Sequence, residues 1–272
     1  MALSQERRVA KLRIPSLGRD VLVLALEHFD CREGLGELFE FHVDALSDAE
    51  DDRPPIDFDD FIGNNCCVSI KRHDESERHF NGVLTETQWR GTRDVGEKTF
   101  HTYSLVLRPW LWMLSRVSDC RIFSDKSIPD IIMEIFIKHP FAALGEWSLP
   151  GSYPVLEYCV QYRETDLQFV CRLMEEAGIY YFFEHSKSEH KLILIDSSAA
   201  HKPKQGGKEL TYVPLGTGQR DEEFLHTWIA GRRFASGKFA LKDYNYKKPT
   251  DPLLFEQETD GRYKNAKLER YD

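Results

Sequence analysis

Apolar residues alternate with polar ones along much of the first 118 residues, and this period of two restricts the possible folds more than any other feature of the chain. The clearest stretches are LFEFHV, HFNGVL and YSLVL, which cover residues 38–43, 79–84 and 103–107. Successive side chains of a strand point to opposite faces, so each stretch predicts a strand with one buried face. We therefore expect a strand-rich domain over residues 1–118.

The hydrophobic period changes after residue 118. In SDKSIPDIIMEIFIKHP, apolar residues recur at helical spacing, Ser127 stands where an N-cap is expected, and Pro129 falls in the first turn. This pattern predicts a helix near residues 127–138. Strand-like alternation returns over residues 201–272, so the sequence predicts a helix-containing insertion over residues 119–200.

A second helix is predicted near residues 166–177. Thr165 and Gln168 have the spacing of a capping box, and the apolar residues that follow recur every three or four positions. Gly178 can take the left-handed conformation that ends a helix, and residues 179–196 then have the pattern of a hairpin. The predicted fold class is α+β, mainly β.

A short internal similarity links two parts of the chain. GELFEFHVD, residues 36–44, and GKFALKDYN, residues 237–245, both begin with Gly and continue with alternating apolar positions. Such an echo is typical of a repeated domain. The tail, FEQETDGRYKNAKLERYD, shows no obvious closing strand, so we expect the last domain to be cut short.

The formal net charge of −9 bears on the choice of partners. Nucleic-acid binding needs clustered Lys and Arg that neutralise phosphates, so we expect no nucleic-acid partner. Acidic residues concentrate in DALSDAEDDRPPIDFDDF, residues 44–61. The alternating ligands and central Gly of a calcium-binding loop are missing there, which favours a solvated loop over a calcium site.

No apolar run of the sequence approaches the ~20 residues that cross a bilayer. The N-terminal stretch also lacks the apolar segment of a signal peptide. We expect a chain without a direct membrane span that begins in the cytoplasm. Export by a route that needs no cleaved signal stays open.

The cysteines are candidates for catalysis or metal binding. They are Cys31, Cys66, Cys67, Cys120, Cys159 and Cys171. No CxxC motif occurs, and Cys66 and Cys67 would point to opposite faces of a strand, so we expect reduced and mostly buried thiols. Cys171 lies on the apolar face of its predicted helix, where burial raises a thiol pKa. A cysteine hydrolase that uses Cys171 or Cys159 with a histidine remains an alternative.

Other titratable residues offer weak site candidates. His185 and His190 flank the turn of the predicted hairpin, and we expect exposed imidazoles rather than a metal site. Glu175 and Glu176 are expected on the exposed face of their helix, where they are too solvated for an acid–base pair. Nucleotide-binding, serine-hydrolase and zinc-protease motifs are missing from the sequence. We expect no catalytic, cofactor-binding or metal-binding residue.

Tryptophans suggest a third class of function. Trp89, Trp110 and Trp112 could stack on sugars, as in a carbohydrate-binding module. In RPWLWML, however, the neighbours of Trp110 and Trp112 are Leu and Met, which favours core packing.

Three long blocks of the chain resemble a known family. They are RHFNGVLTE, LVLRPWLWMLSRVSDCRIFSDKSIPDII and CVQYRETDLQFVCRLMEEAGIYYFFEH. In this order they resemble the N-terminal hub region of VgrG-type spike proteins of type VI secretion systems and, more distantly, the baseplate hub of contractile-tailed phages. The resemblance runs from about Leu22 through Lys248.

The resemblance implies a fold of two related β-barrel-like domains with a helical insertion. On this basis residues 1–118 form the first barrel-like hub domain, residues 119–200 the α+β insertion, and residues 201–272 the beginning of a truncated second barrel. The family has no catalytic motif in the hub, so no enzyme activity or cofactor is implied.

The resemblance also implies partners. Three hubs form a homotrimer that seats on a hexameric tail-tube protein, because two related domains in three copies present six similar edges. Baseplate components and effectors are further implied partners. Assembly is implied in the bacterial cytoplasm, followed by secretion or delivery into a target cell without a cleaved signal peptide. A phage baseplate hub of the same architecture is a variant within this class.

Overall fold

The computed structural model contains two units, Met1–Gly206 and Gly207–Asp272. It describes residues 3–5, 8–15, 24–49, 57–72, 75–201, 211–214, 224–225 and 227–272. The strands of the first unit are β1 Ala10–Arg13, β2 Ala25–Arg32, β3 Glu40–Asp48, β4 Asn65–Lys71, β5 Glu77–Val95, β6 Lys98–Arg108, β7 Ser118–Phe123, β8 Leu144–Ser148, β9 Cys159–Thr165, β10 Tyr180–His185 and β11 His190–Ile195. Its helices are α1 Trp110–Met113, α2 Ile128–Ile137 and α3 Asp166–Glu176.

Six antiparallel strands form the main sheet, in the order β1, β4, β5, β6, β3, β2. One face of this sheet carries an apolar core. Its fully buried side chains include Phe39, Phe41, Val43, Leu84, Leu105 and Leu107. These are the alternating positions that the period of two assigned to buried faces, so that prediction and the mainly β fold class are confirmed.

The two edge strands of this sheet approach each other through the side chain of Gln5. Gln5 Oε1 accepts the backbone N–H of Leu12 in β1 at 2.8 Å and that of Leu26 in β2 at 3.4 Å. Gln5 Nε2 donates to the carbonyl of Leu12 at 2.9 Å. One amide side chain thus satisfies backbone groups on both edge strands.

Gly82 in β5 marks a close approach inside the first core. A Cβ at this position would lie 2.9 Å from Cβ of Leu107 and 3.1 Å from the ring of Phe39. A glycine in a strand often signals such a contact with a neighbouring element. The phenylalanine therefore occupies the space that a larger residue at position 82 would fill.

A second apolar core lies between the helices and the small three-stranded sheet, whose order is β10, β11, β8. Its buried residues include Trp110, Ile131, Ile135, Phe136, Phe169, Leu173, Leu192 and Leu194. Val83 of β5 belongs to this second core although it precedes residue 118. The two cores therefore share a strand, and the division at residue 118 stays a prediction.

Both predicted helix starts have the expected capping residues. Thr165 accepts the backbone N–H of Gln168 at 3.1 Å, and the Gln168 side chain accepts the N–H of Thr165 at 2.9 Å. Ser127 caps α2, and Asp130 completes a capping box there that the sequence analysis did not predict. Gly178 follows α3 with φ of 68°, as its predicted role requires.

The second unit is built from short strands. They are β12 Thr211–Tyr212, β13 Phe224–Leu225, β14 Lys238–Lys242, β15 Leu254–Glu258 and β16 Glu269–Tyr271. β14 pairs antiparallel with β15 and parallel with β16. The tail, in which the sequence showed no obvious closing strand, contains β16 and most of β15; both strands pair with β14, and Lys238 forms ion pairs with Glu256 and Glu269. The truncation of the last domain stays a prediction.

The acidic loop predicted over residues 44–61 is only partly correct. Its first residues continue β3 to Asp48, where Ala45 and Ser47 are fully buried by pairing with β6. Asp57 caps a short 3-10 turn, Phe58–Asp60. Residues 50–56 lie outside the described residues.

We expect Gly82→Ala to destabilise the first unit by about 1–3 kcal/mol, because the added methyl must displace Leu107 or Phe39. Urea unfolding followed by tryptophan fluorescence measures the change. Gly34→Ala is the matched control, since its methyl meets only the flexible side chain of Glu37. Equal stability of the two variants would contradict the packing role of Gly82.

Candidate functional site

The thiols considered as nucleophiles lie where ionisation is disfavoured. Burial raises the pKa of Cys171 to about 11, and it also raises the pKa of Cys159. Cys66 lies in the first core with a pKa raised by burial to about 12. Cys67 is buried on the opposite face of β4, where its Sγ is 3.9 Å from the carbonyl of Ser186. High pKa values leave little thiolate for nucleophilic attack.

All six cysteines are free thiols, as predicted. The expectation that most are buried is wrong, because Cys31 and Cys120 are exposed and Cys159 and Cys171 are half-buried. Cys31 lies in β2 and Cys120 in β7, both edge strands of their sheets. Side chains on edge strands have fewer covering neighbours than those on central strands.

The prediction of exposed hairpin histidines is wrong. His190 is 2% exposed, and the side chain of His185 is 8% exposed. Both pack at the point where the β10–β11 hairpin meets β5, with Asn81 between them. We call Asn81, His185 and His190 the histidine joint.

Hydrogen bonds define the protonation state of His190. The backbone N–H of Trp110 donates to its Nε2 at 2.8 Å, so this nitrogen carries no proton. Nδ1 lies 2.8 Å from Oδ1 of Asn81 and therefore donates. Burial lowers the pKa of His190 to about 3, and the neighbouring His185 adds to the shift. The joint thus depends on a neutral imidazole.

His185 connects the joint to the first core and to an acidic side chain. Its Nδ1 lies 2.9 Å from the carbonyl of Asn81, and its Nε2 lies 2.8 Å from Oε1 of Glu33. The Glu33 contact has the distance of an ion pair without the geometry of a hydrogen bond. Glu33 is thereby held beside the hairpin.

A sequence signal for the buried His190 was present. Period two along HKLILI places His190 on the same face as Leu192 and Leu194, which are fully buried. Asn81 lies between Phe80 and Gly82 and faces away from the first core. Its role could not be read from the local pattern, because its partner His190 is 109 residues away.

The other sequence candidates lie apart from the joint. Glu175 and Glu176 are exposed, as predicted. Trp110 is buried, as predicted, and its Nε1 donates to the carbonyl of Ala143 at 3.1 Å. The prediction of core packing is wrong for Trp112, which is half-buried and lies outside the second core.

Two arginine side chains lie over the ring of Trp112. The guanidinium carbons of Arg108 and Arg116 lie 5.1 and 4.3 Å from its ring centroid. Trp89 is also half-buried, and its Nε1 donates to Nδ1 of His101 at 3.2 Å. The ring of Trp112 is engaged by side chains of this chain.

A cleft of about 270 Å³ opens beside the joint. It is lined by Glu33, Gly34, Leu35, Glu37, Phe39, Phe182 and Phe183. Among the described residues, no group of three or more His, Cys, Asp or Glu is arranged to hold a metal ion. The described helices include none that is long and apolar enough to cross a membrane.

The histidine joint predicts acid sensitivity. An imidazole whose pKa falls from 6.5 in the unfolded chain to about 3 in the fold stabilises the protein above pH 6.5 and loses that contribution as the pH falls towards 3. We expect the free energy of unfolding to drop by up to about 1.4 kcal/mol per pH unit in this window. Urea unfolding at several pH values measures the slope.

Two variants isolate this effect. His190→Gln keeps a donor and an acceptor but removes the titrating imidazole, so its slope between pH 6.5 and pH 3 should be smaller. His28→Gln removes an exposed imidazole and should keep the slope of the parent chain. The same slope in all three proteins would show that His190 does not govern acid sensitivity.

Comparisons with known proteins agree with this architecture. The chain is 38% identical to the type VI secretion system spike protein VgrG1b of Pseudomonas aeruginosa over 249 residues, which are 92% of this chain and 32% of that protein. It is 35% identical to VgrG1c of the same organism, over 100% of this chain and 36% of that protein. The chain thus spans about a third of the length of these relatives.

Solved structures share the fold. The Escherichia coli c3393 protein, a type VI secretion component with structural similarity to the phage T4 tail proteins gp27 and gp5, superposes with a TM-score of 0.59 and 21% identity, over 76% of this chain and 53% of that one. The family described as phage tail baseplate hub (GPD) matches residues 32–272. A family match of this extent, together with the buried cores and the hub-like fold, shows that the chain belongs to the phage tail baseplate hub family.

Proposed function

We propose that this chain is the structural hub of the cell-puncturing spike of a type VI secretion system. It seats a trimeric spike on a hexameric tail tube for effector delivery. The observation that carries the proposal is the family match over residues 32–272, together with relatives that are spike proteins. Baseplate components and effectors are the further partners, and nucleic acid is not among them.

Exposed apolar surface supports assembly with other chains. In the second unit, Phe239 and Leu241 of β14 and Phe255 of β15 are 39%, 53% and 62% exposed. Leu241 and Phe255 are direct neighbours across the two strands. A contiguous exposed apolar face of this kind marks an interaction surface.

The similarity between residues 36–44 and 237–245 supports the fit of a trimeric hub to a hexameric tube. Residues 36–44 lead into β3, and residues 237–245 contain β14. Two related strand-rich domains in each of three copies would present six similar edges. The spike would be assembled in the bacterial cytoplasm and delivered without a cleaved signal peptide.

Light scattering and tube binding test this proposal together. A spike protein that carries this chain as its hub should have three times its monomer mass and should co-sediment with the hexameric tail-tube protein of the same secretion system. A monomer, or a trimer that does not bind the tube, would contradict the proposed role. Binding to a phage tail tube instead would assign the hub to a phage baseplate.

We infer that the hub acts without catalysis. The raised pKa values of Cys171 and Cys159 support this, because a hydrolase would need a thiolate. Nothing in the site or the relatives supports the cysteine-hydrolase alternative.

Thiol labelling tests this absence of a nucleophile. At pH 8, iodoacetamide should modify exposed Cys120 at least about a hundredfold faster than Cys171, since burial both covers Cys171 and raises its pKa to about 11. Mass spectrometry of time points gives the two rates. Rapid and selective modification of Cys171 would contradict a purely structural role.

A further inference from the structure

The cleft beside the histidine joint runs along the edge of β10, which is an edge strand of its sheet. Both Phe182 and Phe183 line the cleft, although consecutive side chains of a strand point to opposite faces. The cleft therefore reaches atoms of both residues in β10. The carbonyl of Tyr181 accepts the N–H of Gly36 at this edge, so the backbone groups of Phe183 face the same side.

The walls of the cleft combine aromatic rings with two carboxylates. Phe182 and Phe183 are half-buried and Phe39 is buried, and the ring centroid of Phe182 also lies 5.7 Å from that of His201. The side chains of Glu33 and Glu37 are 32% and 57% exposed. Ring faces and carboxylates both attract cations, so this lining is complementary to a positive charge on an apolar stem.

The arginines of this chain engage both carboxylates only loosely, whereas His185 Nε2 already lies 2.8 Å from Oε1 of Glu33, so Glu37 is the carboxylate open to an incoming cation. Arg32 Nη2 is 3.6 Å from Oε2 of Glu37, and Arg78 Nη2 is 3.8 Å from Oε2 of Glu33. These distances exceed those of hydrogen bonds, and the arginine side chains are 81% and 43% exposed. Exposed pairs of this kind contribute little free energy, so an incoming cation can displace them.

The size of the cleft limits its occupant. Its volume of about 270 Å³ is below the roughly 300–1,000 Å³ of sites that enclose whole small-molecule ligands. It suits one long side chain better than a complete cofactor. We propose that the cleft receives an arginine or lysine side chain from a partner protein, with the cation between Glu37 and the ring of Phe182. This inference does not depend on the trimer or on tail-tube binding.

Arginine should bind better than lysine. A guanidinium is planar, stacks on aromatic faces and can donate two hydrogen bonds to one carboxylate, whereas an ammonium acts as a point charge. Backbone groups of the same partner segment could pair with Phe183 at the edge of β10. The ring of Phe182 and the carboxylate of Glu37 would therefore both contact the arginine side chain of the partner.

The test uses the full chain and two matched probes. N-acetyl-arginine methylamide carries the cation, and N-acetyl-citrulline methylamide is its neutral analogue of nearly the same shape. Titration followed by the methyl NMR signals of Leu35 should show saturable shifts with the arginine probe. The citrulline probe should give shifts at least about fivefold smaller at equal concentration.

Variants assign the contacts. Glu37→Gln should weaken binding of the arginine probe roughly two- to fivefold, and Phe182→Leu should weaken it while keeping an apolar wall. Glu184→Gln changes an exposed glutamate of β10 outside the cleft lining and should bind like the parent chain. Equal shifts with both probes, or unchanged binding by Glu37→Gln, would overturn the proposal. Leu35 signals that do not shift up to about 50 mM arginine probe would also overturn it, because weak contacts of this kind have dissociation constants of roughly 1 mM.

Discussion

The neutral imidazole of His190 is the contact on which the first unit depends. Its Nε2 accepts the N–H that begins α1, and its Nδ1 donates to Asn81 of the main sheet. Three elements, the hairpin, the first helix and β5, therefore meet at one buried side chain. If the hairpin packed in another position, the buried N–H of Trp110 would lose its acceptor, at a cost of about 1–3 kcal/mol. The joint therefore favours one orientation of the hairpin against β5 and α1.

Around this joint, apolar packing forms two cores that share β5. Phe80 and Leu84 point into the first core, whereas Val83 points into the second. A strand covered on both faces cannot shift its register by one residue, because every side chain would exchange cores. The alternation along β5 therefore fixes the register between the two cores.

Local patterns predicted much of this molecule. Period two identified Phe39, Phe41 and Val43 as buried, and the Thr165–Gln168 spacing identified the start of α3. These features depend on neighbours within four residues, so a linear sequence contains them. The contacts that local patterns missed involve distant residues. Asn81 binds His190 across 109 residues, and the polar tail gains its strands by pairing with β14.

Local sequence patterns predicted the strands around Phe39, Phe80 and Tyr103, the helices near residues 127–138 and 166–177 with their caps Ser127 and Thr165, and the resemblance to a hub family. They did not show that Asn81 binds His190, that Gln5 bonds to both edge strands, or that Glu37 and Phe182 line one cleft. The difference lies in the range of the interactions. Secondary structure follows from periodicity and local hydrogen bonds, whereas burial and pKa depend on groups that folding brings together from distant positions.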